Sequence, residues 1–142
     1  MPRKQFSTAF HICHANTTFD IGYIKANTII CNSYVNIFVA YKTSKDFQLN
    51  LYRILQEQFR NIVKYSQASI IEIEGFISNK NIYVAITDNG VGFNIADIKS
   101  GIGMANMKRR TELFSGQFKI DSSLGNGCKV FIEVPLLGVV VE

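Results

Sequence analysis

The sequence predicts an α+β fold, in which a mixed, mostly antiparallel sheet carries its helices on one face. A long amphipathic helix is predicted over about residues 47–66. Two strand pairs follow it, each joined by a short turn, and a second helix lies between the pairs. Strands joined by short turns pair antiparallel, and amphipathic helices bury their apolar side against a sheet. The strands of these two pairs are Ile70–Phe76, Ile82–Thr87, Gly116–Ser122 and Cys128–Val134.

Length and composition indicate one domain spanning residues 1–142. The chain has 142 residues, of which 47% are hydrophobic, enough for one core. No apolar run approaches the roughly 20 residues of a membrane span, and the basic N-terminus lacks the apolar segment of a signal peptide. The net charge of +4 suits an anionic ligand without selecting one. Three unevenly spaced cysteines indicate a reducing cytosol rather than a disulfide framework: Cys13, Cys31 and Cys128.

The first 45 residues carry the weakest patterns. Residues 17–26 predict a helix that Gly22 weakens, and Tyr34–Tyr41 predicts a strand rich in β-branched and aromatic residues. His11, Cys13 and His14 lie close together, but a fourth ligand at suitable spacing is missing. We therefore expect no metal site there.

The helix over residues 47–66 has one apolar face and one polar face. Asp46 is predicted to cap its start. Apolar residues recur at intervals of three and four, as a buried stripe requires. The stripe consists of Leu51, Ile54, Leu55, Phe59, Ile62 and Val63.

The polar face of this helix combines an acid, an amide and two cations. Glu57 and Asn61 are four residues apart and share one side, and Arg60 and Lys64 flank it. An amide oxygen can bind Mg²⁺, and Lys64 can balance phosphate charge. The alternative is a solvated helix face with mixed charges.

The strand over residues 82–87 ends in an acid followed by two glycines. Asp88 stands where the strand leaves the sheet. Gly90 and Gly92 allow the backbone to come close to a flat or charged group. Asn-Gly after a strand is also typical of a hairpin turn, but in a hairpin a second strand follows the turn directly. Residues 93–103 are not strand-like. The segment therefore predicts a binding loop.

A second glycine pair, Gly101 and Gly103, opens the helix predicted at about Met104–Phe114. Backbone N–H groups at such a helix start can face an anion. The pair matches neither the dinucleotide fingerprint nor a Walker loop, and a flexible glycine loop is the alternative. Gly125–Gly127 joins the last two strands, and the apolar tail 136–142 suggests no function.

Four segments, in this order, resemble the ATP-binding catalytic domain of sensor histidine kinases, in the superfamily shared with DNA gyrase. They match its N box, its two glycine boxes and its closing Gly-x-Gly-Thr element, and the match covers about residues 47–136. The short stretch between the glycine boxes is similar to the subfamily that pairs with NarL-type response regulators, and residues 20–26 resemble its first helix. The segments are Leu51–Ser66 (LYRILQEQFRNIVKYS), Asp88–Phe93 (DNGVGF), Gly101–Arg110 (GIGMANMKRR) and Gly125–Cys128 (GNGC).

The resemblance implies a two-layer sandwich of the Bergerat type, with ATP and Mg²⁺ as cofactors. It implies that Asp88 accepts a hydrogen bond from the adenine amino group. Asn61 would be catalytic through Mg²⁺, Lys64 with Arg60 would balance phosphate charge, and residues 93–101 would form a mobile lid. Glu57 is a catalytic candidate by position. The implied ATP-binding residues are Asn61, Lys64, Asp88, Gly90, Gly92, Phe93, Gly101, Ile102, Gly103, Met104 and Cys128.

Three departures from the family pattern stand out. Tyr65 occupies a position where the family often has histidine, and Cys128 replaces the usual hydroxyl residue. The H box on a dimerisation helix is absent. His11 and His14 lack the neighbours of that motif, so neither is predicted to accept a phosphoryl group.

The resemblance implies a kinase domain that transfers the γ-phosphoryl group of Mg-ATP to a histidine on a separate dimerisation domain of the same kinase. A response regulator would act downstream, with no direct nucleic-acid contact. The expected location is cytoplasmic, with the parent kinase homodimeric and anchored to the inner membrane. Two alternatives stay open, a serine kinase of the anti-sigma type and a non-catalytic nucleotide-binding module. We expect the isolated domain to be inactive as a kinase.

Overall fold

The computed structural model describes residues 28–32, 42–98 and 101–141. The helix predicted over residues 17–26, the strand predicted over 34–41 and the histidines near the N-terminus lie outside these ranges. The elements in chain order are β1 (Thr28–Asn32), α1 (Lys45–Asn61), a π-helical turn (Ile62–Ser66), β2 (Ile70–Ser78), β3 (Asn81–Asp88), a 3-10 turn (Ile95–Asp97), α2 (Ile102–Glu112), β4 (Gln117–Ser122), β5 (Cys128–Pro135) and a second 3-10 turn (Leu136–Gly138).

The strands form one five-stranded sheet in the order β1-β2-β3-β5-β4. β1 pairs parallel with β2, and every other pairing is antiparallel. The predicted mixed, mostly antiparallel sheet with inserted helices is therefore confirmed. β1 was not predicted, because five residues without a turn-linked partner give little local signal. Its parallel partner β2 lies about forty residues further along the chain.

Alternation along β3 directs Ile82, Val84 and Ile86 into the layer between sheet and helices, where all three are buried. Leu51 and Ile54 of α1 pack onto the same layer, as the helical stripe predicted, and Phe47 joins them. Val63, predicted as part of the stripe, is instead 42% exposed. The buried part of this layer is completed by Met107, Ile132, Val134 and Val139. A second cluster under the π-helical turn contains Ile62, Ile71, Ile86, Cys128 and Val130.

The start of α1 differs from the prediction. Ser44 is the N-cap, and its hydroxyl accepts a hydrogen bond from the backbone N–H of Phe47 at 3.2 Å. The predicted cap, Asp46, lies inside the first turn, where its charge still favours the positive end of the helix dipole. Serine is as good an N-cap as aspartate, so residue preference could not separate the two positions.

The end of α1 also differs from the prediction. Regular α-helix stops at Asn61, and the turn over Ile62–Ser66 is π-helical. Gln67 then takes a left-handed conformation with φ of 54°, which redirects the chain toward β2. The wider turn carries Lys64 and Ser66, two residues that line the candidate site described below.

The apolar tail has a structural role. Val139 is 1% exposed and belongs to the main core cluster, and its carbonyl accepts a hydrogen bond from Ser44 N–H at 2.7 Å. Val140 forms a β-bridge with Thr43. The tail therefore fixes the segment that leads into α1. Among the described residues, no helix has the length and apolarity needed to cross a membrane.

Candidate functional site

A cavity of about 710 Å³ opens between α1, the π-helical turn, α2 and the ends of β3 and β5. Its size is that of a site for a small-molecule ligand or cofactor. Of the residues predicted for the site, all except Gly90 line this one cavity. The lining consists of Glu57, Gln58, Arg60, Asn61, Ile62, Lys64, Tyr65, Ser66, Asp88, Gly92, Phe93, Ile98, Gly101, Ile102, Gly103, Met104, Asn106 and Cys128.

Asp88 lies at the closed end of the cavity and is 3% exposed. Its Oδ1 accepts two hydrogen bonds, from the Ser66 hydroxyl at 2.7 Å and from the Gly90 backbone N–H at 2.9 Å. Within the described part of the chain, Oδ2 accepts none. The first oxygen therefore anchors the side chain, and the second is free to accept a hydrogen bond from a ligand.

Gly90 supports the site from behind the cavity wall. A Cβ at this position would overlap the carbonyl oxygen and the Oγ of Ser66. The backbone of the loop is tied to the same residue, because Val91 N–H donates to the Ser66 carbonyl at 2.7 Å. Glycine is thus required here for close approach of two backbone segments, and Gly90 supports the loop without being among the residues that line the cavity.

Cys128 begins β5 opposite Asp88, its Cα partner in the sheet. Burial, with the negative charge of Asp88 as the second cause, raises the pKa of the Cys128 thiol to about 11, although hydrogen bonds from Ser122 and Gln58 oppose the shift. The thiol is therefore protonated at neutral pH. Such a thiol is a weak nucleophile, since the thiolate is the reactive form.

The open end of the cavity carries the amide and the cations predicted for phosphate. Asn61 and Lys64 both line it. Arg60 pairs with Glu57 at 3.0 Å, with 60% of the arginine side chain exposed. Lys64 is exposed and has no carboxylate within ion-pair distance in the described part of the chain. Of the two predicted cations, Lys64 is thus the one with its charge available to an anion.

The N-terminus of α2 faces Glu57 across the open end. Gly101 is the N-cap and makes no side-chain capping bond, so backbone N–H groups of the first turn are left for another acceptor. A Cβ at Gly103 would overlap Oε1 of Glu57. The carboxylate therefore lies directly against the start of an 11-residue helix, a position that favours negative charge.

Several lining residues were not singled out from the sequence: Gln58, Ser66, Ile98 and Asn106. Gln58 and Ser66 lie next to predicted site residues, but nothing local distinguishes a glutamine or serine that turns inward from one that is solvated. Asn106 follows the second glycine pair, so its position in that motif was an available signal.

Among residues 28–32, 42–98 and 101–141, no group of three His, Cys, Asp or Glu side chains converges as a metal site would require. Mg²⁺ is commonly held by one or two protein oxygens, several waters and the phosphates of a substrate. Asn61, which lines the open end beside Lys64, supplies one neutral oxygen of this kind. The donor set therefore fits a phosphate-bound Mg²⁺.

Comparison with known proteins matches residues 47–138 to the family described as histidine kinase-, DNA gyrase B- and HSP90-like ATPases. The oxygen sensor histidine kinase NreB of Staphylococcus carnosus is 34% identical over 106 residues, which are 73% of this chain and 30% of that protein. The signal transduction histidine-protein kinase/phosphatase DegS of Bacillus subtilis is 32% identical over 99 residues, 67% of this chain and 26% of DegS. The chain thus spans less than a third of either relative.

Solved structures agree on the fold. A histidine kinase domain of the Erythrobacter litoralis EL346 blue-light activated kinase matches with a TM-score of 0.58 and 14% identity, covering 65% of this chain and 48% of that one. The Acinetobacter baumannii histidine kinase AdeS matches with a TM-score of 0.56 and 19% identity, covering 63% and 47%. The resemblance drawn from the four sequence segments is confirmed. The chain belongs to the histidine kinase-, DNA gyrase B- and HSP90-like ATPase family, and its ATP-binding domain is of the sensor histidine kinase type.

Proposed function

We propose that this chain binds Mg-ATP and delivers the γ-phosphoryl group to a histidine on a separate dimerisation segment of its parent kinase. The observation that carries the proposal is a cavity that joins an acceptor end at Asp88 to an amide and cation end at Asn61 and Lys64. ATP has the matching polarity, with an amino group on its base and negative charge on its phosphates.

At the base end, the free Oδ2 of Asp88 accepts a hydrogen bond from the adenine amino group. Ser66 and Gly90 hold the other oxygen, so the acceptor is oriented before the nucleotide arrives. A preformed acceptor avoids the entropy cost of ordering a side chain upon binding. Gly92 and Phe93 line the cavity between this acceptor and the later loop.

At the phosphate end, Asn61 would hold Mg²⁺ through its side-chain oxygen, and Lys64 balances phosphate charge. Gly101, Ile102, Gly103 and Met104 line the cavity at the start of α2, where N–H groups face an anion. Held there, Mg²⁺ would help to neutralise the negative charge of the phosphates during transfer. Phosphoryl transfer depends mainly on such positioning, which suits a site without a nucleophile of its own.

The names of the matching relatives support histidine as the acceptor and a response regulator, of the NarL type, as the downstream partner. The relatives that match over 67–73% of this chain carry the names of histidine kinases. Neither the serine kinase of the anti-sigma type nor the non-catalytic module is favoured by these relatives. The parent kinase would be a homodimer at the inner membrane, with this domain on the cytoplasmic side.

Isothermal titration calorimetry with Mg-ATP tests the base end of the site. We expect binding by the wild-type chain, and weakening of about 10-fold or more in Asp88→Asn, because a hydrogen bond to a charged group is lost. Asp121→Asn, an exposed aspartate on β4, is the matched control and should bind like wild type. Equal affinities in Asp88→Asn and wild type would contradict the assignment.

The phosphate end and the acceptor need separate measurements. Asn61→Ala should lower ATP affinity in the presence of Mg²⁺ and leave affinity unchanged when EDTA removes the metal. Transfer of label from γ-³²P-ATP, by the chain mixed with a dimerisation segment bearing the histidine, tests the acceptor. Acid-labile label on that segment supports a histidine kinase, and acid-stable label on serine would favour the serine kinase.

A further inference from the structure

Gln58 carries the one buried side-chain polar atom in the described residues that has no hydrogen-bond partner, its Oε1. The side chain is 2% exposed, and the residue lines the cavity. The great majority of buried polar side-chain atoms are hydrogen-bonded, since an unpaired acceptor costs free energy. An unpaired oxygen on a residue that lines a ligand cavity therefore indicates a partner that a bound ligand can supply.

Asn50, on the same helix, shows how a structural amide behaves. It is also buried, but its Nδ2 donates to the Asp46 carbonyl at 3.0 Å, and its Oδ1 accepts from Arg110 at 2.9 Å. Both ends of this amide are used, and Asn50 lies away from the cavity. Gln58 differs in both respects, because its oxygen is unpaired and the residue lines the cavity.

Gln58 lies at the same end of the cavity as Asp88. Its side chain is within hydrogen-bond reach of the Cys128 thiol, and Cys128 is paired with Asp88 across β5 and β3. Both flanking groups present an oxygen that accepts nothing from the described residues, Oε1 on Gln58 and Oδ2 on Asp88. Two acceptors at one end of a cavity match a ligand group with two N–H donors.

We propose that Gln58 is a specificity-determining residue that accepts a hydrogen bond from the 6-amino group of the bound purine, beside the bond made by Asp88. This inference rests on the proposed binding of ATP. A 6-amino group has two hydrogens, one for each acceptor. A 6-oxo purine such as guanine presents an acceptor at that position and would leave both protein oxygens unpaired, which is a strong basis for rejection.

The test compares nucleotides that differ only at this edge. Dissociation constants are measured by calorimetry for ATP, GTP and purine riboside triphosphate, which lacks the 6-amino group. Gln58→Met keeps the length of the side chain and removes the acceptor. We expect it to weaken ATP binding about 3- to 10-fold, the range for one neutral hydrogen bond, and to leave the affinity for purine riboside triphosphate unchanged. Gln56→Met, on the same helix but away from the cavity, should change neither affinity.

Thermal unfolding of the free proteins supplies a readout that a purely structural role would move differently. Oε1 makes no bond within the described part of the protein, and the contact of the Gln58 amide with the Cys128 thiol is weak, so Gln58→Met should melt close to the temperature of the wild type. A variant that melts well below wild type and loses affinity for ATP and purine riboside triphosphate alike would show that the amide acts through the fold, which overturns the proposal.

Two further outcomes overturn it. Unchanged ATP affinity in Gln58→Met shows that the oxygen makes no bond to the ligand. Equal weakening for ATP and purine riboside triphosphate shows a contact of shape rather than recognition of the amino group. The proposed function is tested separately by the wild type, since failure of the wild type to bind ATP removes both proposals, whereas ATP binding with an unaltered Gln58→Met removes this one alone.

Discussion

The hydroxyl of Ser66 donates a hydrogen bond of 2.7 Å to Oδ1 of Asp88, across 22 residues of sequence. It joins the end of the π-helical turn to the end of β3. The same hydroxyl accepts a bond from Ala68 N–H at 3.1 Å, so Ser66 is itself held by the backbone that leads into β2. The proposed adenine acceptor is therefore fixed by the connection between helix and sheet.

Replacing Ser66 with alanine removes one of the two donors to Oδ1 of Asp88. We expect Ser66→Ala to lower the free energy of unfolding by about 1–2 kcal/mol, because a buried charged acceptor loses a partner. ATP affinity should fall several-fold, since the acceptor is less well oriented. Urea denaturation and calorimetry measure the two effects. Ser78→Ala, at the exposed end of β2, is the control, and equal behaviour of the two variants would contradict this role for Ser66.

Substitution by alanine is expected to destabilise the fold much more at Gly90 than at Gly101. Gly90→Ala places a Cβ against the Ser66 backbone and should lower the free energy of unfolding by about 1–3 kcal/mol or more, the range for overpacking. Gly101 has no atom within 4 Å of the corresponding position and a φ of −68°, so Gly101→Ala should cost less than about 1 kcal/mol, mainly through the weaker N-cap. Urea denaturation of both variants checks the contrast, and similar losses would contradict it.

Lys64 is expected to contribute to the binding of the phosphates of ATP and not to the binding of its base. Lys64→Gln removes the cation at the open end and should weaken ATP binding about 3- to 10-fold, because a charge-assisted contact with phosphate is lost. The affinity for adenosine, which has no phosphate, should be unchanged. Lys108→Gln is the matched control, since Lys108 pairs with Glu112 at 3.9 Å on the exposed side of α2. Titrations of both variants with ATP and adenosine measure the effect, and a loss of adenosine affinity in Lys64→Gln would place the lysine at the wrong end.

The raised pKa of Cys128 predicts that the free energy of unfolding falls at alkaline pH. Burial raises the pKa of its thiol to about 11 in the folded chain, from the ordinary cysteine value of 9.0. Folding therefore favours the protonated form. This contribution to stability is fully present below pH 9 and is lost as the pH rises from 9 to 11, because the unfolded chain releases its proton first.

The comparison of wild type with Cys128→Ala isolates this contribution from other groups that titrate in the same range. Denaturation at a series of pH values should show a steeper loss of stability in the wild type between pH 9 and 11. Parallel curves for the two proteins would contradict the raised pKa. Mass spectrometry after alkylation at pH 7 should also find Cys128 largely unmodified, since little thiolate is present.

Local patterns in the sequence were sufficient for most of the fold. The stripe on α1 and the alternation in β3 reflect burial on one side of a regular element, which repeats every few residues and can be counted along the chain. The loop at Asp88 was recognisable because an acid and two glycines follow a strand without a second strand behind them. These signals depend on neighbours within about ten residues.

The contacts that complete the site depend on distant partners. Asp88 lies opposite Cys128 through the pairing of β3 with β5, Ser66 reaches Asp88 across the π-helical turn, and Val139 closes the core beside α1. The parallel strand β1 likewise depends on a distant partner, β2. Each partner is chosen by the packing of segments far apart in sequence, so no local period encodes it.

The acid–glycine loop, the helix face with Asn61 and Lys64, and the glycine-led start of α2 could thus be read from the order of residues, because short-range geometry gives each its character. The inward position of Gln58, its unpaired oxygen and the supporting role of Gly90 could not. They arise where a helix, a turn and two strand ends meet, and only packing in three dimensions decides which side chain faces the cavity and which backbone lies behind it.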